Sequence, residues 1–292
     1  MVGGRTPPPE VTPADGDVAR PAPPTPEKIR EALLALEGTA IDDIKLPLPG
    51  DLKDISKAAA LVSGIVEDRI PSLLNQVRER TWDESGSLHA FEFRRFTIGF
   101  PDILLVERAN TDNVLFEMEA KSWYILSGDA LTARFETSPT VMQDGTIVAV
   151  VAWLLDGVVS GSPKLLRIHS DDAKRLAGVR DAAWEGIDEH HRVVHPTNAP
   201  GTPRNLIQTV ARGEIHRNGR WEKDADNYGK LDRLYDESLT RWRDDVLSLR
   251  ASSKTLNEWR AFIAASPAGA RRGRRAVADA TGMVEAEATG EE

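Results

Sequence analysis

The sequence predicts an α/β protein: a mixed central β-sheet flanked by helices, followed by a mainly helical C-terminal part. Three observations carry this expectation. Residues 99–123 (GFPDILLVERANTDNVLFEMEAKSW) hold two apolar strands joined by a run of turn formers, Ala109-Asn110-Thr111-Asp112-Asn113. Gly145 to Leu155 (GTIVAVVAWLL) is the most apolar stretch of the chain, short and rich in β-branched residues, as expected of a buried central strand. Helical patterns lie on either side of these strands, and strand, turn, strand, helix is the layering of a sheet with helices on its faces.

In chain order, residues 1–26 are a proline-rich tail with almost no large apolar residue, too poor in burial to order itself. Glu27 to Leu36 (EKIREALLAL) reads as a short helix ended by Gly38, and Leu46 to Gly50 as a turn-rich connector. Asp51 is placed to cap the next helix. Its core face is spelled by Leu52, Ile55, Ala59, Val62 and Val66 at helical spacing. Pro71 is expected to kink or end that helix, with a second one running to about Arg80. Trp82 to Ser87 is a loop. His89 to Ile98 alternates Phe91, Phe93 and Arg95 against Glu92, Arg94 and Phe96, the pattern of an antiparallel strand. Lys164 to His169 is a further strand. Ser170, Asp171 and Asp172 then cap a helix over Ala173 to Trp184. Beyond a loop rich in Pro, Asn, Gly and Arg, one helix carries Leu234, Leu239, Trp242 and Val246, and a last one covers Thr255 to Ala264. The organisation expected is a tail (1–26), a core with N-terminal helices (27–195), a helical lobe (196–265) and a second tail (266–292).

The strands around the turn carry the chemistry. Facing residues of an antiparallel hairpin have numbers that sum to a constant. A turn centred near Thr111 sets Asp102 opposite a residue near Ala120, beside Glu119 and Lys121. Side chains alternate along a strand, so Glu117, Glu119 and Lys121 share one face. A register with Asp102 opposite Glu119 or Lys121 brings two carboxylates and an amine together. Two hard carboxylates can hold Mg²⁺ while leaving most of its positions to water and phosphate. The metal then stabilises charge on the phosphate and acidifies a bound water, and an ammonium can orient that water and offset developing charge. That combination suits metal-assisted phosphodiester hydrolysis. The motif alone also permits a surface hairpin with an ordinary Glu–Lys ladder.

Pro101-Asp102 followed by Glu119-Ala120-Lys121 resembles the signature of the PD-(D/E)XK nuclease superfamily, with its restriction-endonuclease-like fold. The resemblance covers the core motif and, loosely, the remaining chain. It implies that Asp102 and Glu119 bind Mg²⁺, with Mn²⁺ as a substitute, and that Lys121 assists catalysis. In that superfamily a helix before the hairpin often adds an acidic residue to the metal. Glu67 is the candidate here, the other reading being a solvated glutamate at the edge of an apolar face. Glu117 is a further candidate ligand. The activity implied is that of a DNA endonuclease, of a type II restriction-like or host-defence kind. Its implied partners are double-stranded DNA and a second copy of the chain, with a cognate methyltransferase left open. A DNA-repair or recombination nuclease, and a non-cleaving DNA-binding protein that keeps the fold, are the alternatives; RNA as substrate stays open.

Composition bounds the reading further. The formal charge is −9, so DNA binding calls for a local basic cleft rather than a basic chain. There is no cysteine, which excludes disulfides, thiol nucleophiles and thiolate-held zinc or iron–sulfur centres. No stretch has the apolar length of a membrane span and no signal-peptide core opens the chain, so a cytoplasmic location is expected. Candidate DNA contacts are Arg94 and Arg95, with a cross-strand salt bridge as the equal alternative, and Ser122 and Trp123 just past the lysine, the tryptophan reading equally as core. Arg134 is another, with Thr137, Ser138 and Thr140 nearby. Residues 204–260 are the best region for a DNA-facing lobe, against an all-α cap on the core. Arg271 to Arg275 could grip phosphates non-specifically. His190, His191 and His195 match no structural-zinc spacing and read as a polar loop.

Overall fold

Helix α1 (Pro26–Leu34) begins where Thr25 accepts the Lys28 amide, with Pro26 in the first turn, where its missing N–H costs nothing. The structure, a computed structural model, describes residues 21–49, 52, 54–83, 86–96, 99–127, 131, 133–185, 216–217, 220–221, 229–231, 234 and 236–266. Asp51, the His190–His195 group and the Arg271–Arg275 run lie outside these.

The long helix α2 (Asp54–Thr81) is continuous through Pro71, rather than two helices. A proline inside a helix removes the hydrogen bond to the carbonyl four residues back, here that of Glu67. Packing overrides the break. Val62, Val66, Ile70 and Leu74 form one buried stripe running past the proline on both sides. Each such side chain stabilises the docked helix by about 1.5–3 kcal/mol.

Five strands make the main sheet, in chain order: β1 (Phe91–Arg95), β2 (Ile103–Glu107), β3 (Val114–Tyr124), β4 (Ile147–Leu155) and β5 (Pro163–Asp172). The sheet is mixed. β1–β2, β2–β3 and β4–β5 pair antiparallel, while β3 and β4 run parallel. All nine residues of β4 are buried, as its unbroken apolar run requires of a strand covered on both faces. The β2–β3 hairpin turns through Asn110 to Asn113, and a bulge at Leu115 shifts its register: Val106 faces Val114, but Leu105 faces Phe116.

Both outer edges are covered. On β1, the Asn75 side chain imitates a neighbouring strand, donating to the Phe93 carbonyl (2.9 Å) and accepting from its amide (2.8 Å). The buried Arg78 donates to the Phe91 carbonyl at 2.7 Å. On β5, residues 38–46 add isolated bridges, Ala40 with Lys164 and Leu46 with Gly161.

Helix α3 (Ala173–Glu185) follows β5 directly. Asp172 caps it by accepting the Arg175 amide at 2.7 Å, whereas Ser170 and Asp171 belong to the strand. After the short pair β6 (His216–Arg217) and β7 (Arg220–Trp221) comes α4 (Glu237–Ser248), capped by Asp236. A second short pair, β8 (Arg250–Ala251) and β9 (Lys254–Thr255), leads into α5 (Leu256–Ala265) with its Thr255–Glu258 capping box. Helix α4 packs on the sheet, its Trp242 ring 5.8 Å from that of Trp123 on β3 and 5.5 Å from that of His169 on β5. Arg175 ties it down further by bridging Asp171 and the capping Asp236. Among the described residues, no helix is long and apolar enough to cross a membrane.

Candidate active site

The register of β2 and β3 decides which side chains meet. Ile103 faces Met118, so the next pair outward is Asp102 with Glu119. Without the bulge at Leu115 the outward pair would be Asp102 with Met118, on the other face of the sheet. Beyond this point the two strands part, and β3 is left with amides that β2 does not receive. Carboxylates receive them. The Ala120 amide donates to Asp102 Oδ2 (3.2 Å), and the Ser122 amide to Glu67 Oε1 (2.9 Å). The Asp102 amide donates in return to Glu119 Oε2 at 3.1 Å. The fork between β2 and β3 is thus closed by three acidic side chains in place of backbone.

Lys121 sits among them. Its Nζ lies 2.5 Å from Glu119 Oε1 and 3.4 Å from Asp102 Oδ2. Those two oxygens can be no farther apart than these distances end to end, about 6 Å, against at most about 4.2 Å for two ligands of one Mg²⁺ at about 2.1 Å. Burial pushes the Glu119 carboxyl up to about 7, with Asp102 adding to the rise and Lys121 opposing it. For Lys121, burial pulls the ammonium down, but the Glu119 and Asp102 charges outweigh it and the net shift is upward. The site therefore pairs a carboxyl that resists charging with an ammonium held charged.

Glu67 arrives from α2, on the opposite face of the sheet, through the fork. Besides the Ser122 amide it meets Arg95 Nη2 at 3.4 Å, and Arg95 Nε binds Asp68 Oδ1 at 2.9 Å. Ser122 is joined to the same helix a second time, its hydroxyl donating to the Ser63 carbonyl at 3.2 Å. Glu117 is on the face of Glu119 but buried two residues further along, accepting from the Thr146 hydroxyl at 3.2 Å.

The other predicted contacts fall elsewhere. Trp123 is 1 % exposed and packed on Trp242, a core residue that nucleic acid does not reach in this structure. Arg94 is half-exposed and pairs along its own strand with Glu92, not across strands. The Arg134 side chain pairs with Glu136 at 3.1 Å, and its backbone forms an isolated antiparallel β-bridge with Lys230. The backbone amides of Ala120 and Ser122 are parts of the site that sequence reading does not find, since no residue type marks an unpaired N–H.

Among the described residues no three His, Cys, Asp or Glu side chains form a ready metal cage. The donor set still suits one metal type. Carboxylate oxygens without nitrogen or sulfur are the ligands of a hard divalent cation, and Mg²⁺ is commonly held by only one or two of them plus substrate phosphate. Asp102 Oδ1 accepts no hydrogen bond among the described residues and is available for such a role. Compared with known proteins, the chain matches no family model and no curated sequence.

Proposed function

We propose that the chain is a metal-dependent DNA endonuclease with a restriction-endonuclease-like core, of the PD-(D/E)XK kind. The observation that carries this reading is the convergence of Asp102, Glu119 and Lys121 at the mouth of the β2–β3 fork. Asp102 and Glu119 would hold Mg²⁺, or Mn²⁺ in its place, with Glu67 beside them. The bound cation supplies positive charge to the scissile phosphate and acidifies water.

The chain's own residues do the rest. The Ala120 and Asp102 amides hold the two carboxylates in place before substrate arrives. With a cation held by Glu119 and Asp102, Lys121 would no longer be required as their counter-charge. Its ammonium can then orient the attacking water and offset charge growing on the phosphate. Glu117, held by Thr146, stays outside this step. We assign double-stranded DNA as substrate, a restriction-like or host-defence role, and action as a homodimer by analogy with sequence-specific cutters of this fold.

The test is incubation of the protein with plasmid and modified DNA in Mg²⁺, beside a chelator control. Metal-dependent cutting supports the reading, discrete bands meaning site-specific cutting and a smear non-specific cutting. DNA binding without cutting on any substrate would favour the non-cleaving alternative.

A further inference from the structure

We infer that Arg95 is a positioning residue: it clamps the Glu67 carboxylate onto the edge of β3 at the Ser122 amide, one residue past Lys121. The inference rests on the nuclease reading for the purpose of the clamp, but not for its geometry.

Glu67 needs such a device because of where it starts. It projects from α2, which lies against the face of the sheet opposite Glu119 and Lys121. It reaches the site only through the gap where β2 and β3 separate. Its own backbone is the weak point of α2, since Pro71 cannot donate to the Glu67 carbonyl. The side chain is therefore held from outside the helix, at two points and by two strands. Oε1 takes the Ser122 amide of β3 at 2.9 Å, and Oε2 takes Arg95 Nη2 of β1 at 3.4 Å. Arg95 is itself braced by Asp68 at 2.9 Å. Both members of the Glu67–Arg95 pair are largely shielded, their side chains 20 % and 24 % exposed, which sets the contact apart from a surface ion pair of little consequence. The Glu67 charge also reaches the Lys121 ammonium, which links the clamp to the site.

A clamp and a merely structural ion pair predict different results. The experiment has one arm without metal and one with it, on wild type, Arg95→Ala, Arg95→Lys, Glu67→Gln and the Glu67→Gln/Arg95→Ala double variant. Arg94→Ala serves as a control on the same strand. In the metal-free arm, exchange of the Ser122 amide is followed by NMR. Arg95→Ala should speed it about tenfold, Arg95→Lys less, and Arg94→Ala not at all. In the metal arm, Mn²⁺ binding is measured by calorimetry. Arg95→Ala should weaken it by about tenfold, as loss of a partner to a ligating group does. The same change should add nothing in the Glu67→Gln background.

Unchanged Ser122 exchange in Arg95→Ala overturns the clamp, whatever the metal arm shows. So does tighter Mn²⁺ binding, which would mean that Arg95 only repels the cation, or an equal loss with Glu67 already removed. Faster Ser122 exchange in Arg95→Ala together with a wild-type chain that binds no Mn²⁺ would instead overturn the nuclease reading, and with it the purpose assigned to Arg95. Should Arg95→Ala fail to fold, Arg95→Lys and Glu67→Gln carry both arms.

Discussion

Replacing Lys121 by methionine keeps the side chain's bulk and removes its charge. The ammonium is 2.5 Å from one carboxylate and 3.4 Å from the other. At an effective dielectric constant of about 20, contacts this close correspond to roughly 5–7 kcal/mol each of attraction. The variant does not lose all of that, because the carboxyls can take up a proton instead. Proton uptake gives the effect a distinctive pH dependence. In the wild type the Glu119 carboxyl is raised from 4.5 to about 7, mainly by burial. Between those values the folded chain holds a proton that the unfolded chain has released, so stability falls as pH rises and levels off above about 7. Without Lys121 the folded value climbs further and the fall continues into the alkaline range, at about 1.4 kcal/mol for each added unit. The difference between variant and wild type should be small at pH 4.5 and reach about 2 kcal/mol at pH 8.5, one and a half units above the wild-type value. Urea unfolding followed by tryptophan fluorescence across that range measures it. Mg²⁺ at ten times its dissociation constant should restore about 1.4 kcal/mol at pH 8.5. A difference that does not change with pH, or a variant as stable as wild type at pH 8.5, would refute the account of Lys121 as the counter-charge of this pair.

Glu119→Ala should lower metal-dependent cleavage by about a thousandfold or more, the several kcal/mol that a metal contributes at the phosphate, while DNA binding in a gel-shift assay persists. Glu117→Gln should leave cleavage within about tenfold, since its carboxylate is occupied with Thr146; a variant as inactive as Glu119→Ala would place the metal further along β3. Trp123→Ala should cost about 3–5 kcal/mol in urea unfolding, as for other buried aromatic side chains, with DNA affinity per folded molecule unchanged. Asp236→Ala should cost about 1–2 kcal/mol through loss of the α4 cap. Burial pushes that carboxyl up, but hydrogen bonds from Arg175, Ser238 and the Leu239 amide outweigh it and hold it well below the usual range. Its contribution is accordingly complete above about pH 4. It is lost on acidification below that, which urea unfolding at pH 3 and pH 7 would reveal.

Much of the frame was legible in the chain because local and tertiary preferences agree there. Asn110, Asp112 and Asn113 between two apolar runs can be little else than a hairpin turn, and the apolar run ending at Leu155 suits only a strand covered on both faces. The long helix was misjudged at Pro71 because local breaking was weighed without the stripe from Val62 to Leu74 that holds both halves on the sheet. The register was legible only to within a residue. Numbering from the turn set Asp102 near Ala120, whereas the hairpin is centred on Asn110 and the bulge at Leu115, which no residue type announces, sets Asp102 opposite Glu119. Glu67 could be named as a candidate but not placed, since its approach depends on two strands parting. Trp123 was ambiguous because an aromatic after the lysine suits core and contact alike, and Trp242, more than a hundred positions away, decides for core.

The central claim is that Asp102 and Glu119 form a metal-dependent phosphodiesterase site. The most direct measurement compares the rate of Mg²⁺-dependent nicking of supercoiled plasmid by wild type and by Asp102→Ala, at matched folded concentration. The account predicts chelator-sensitive nicking by wild type and none above background by the variant, with DNA binding retained. An Asp102→Ala protein that nicks at the wild-type rate would contradict it.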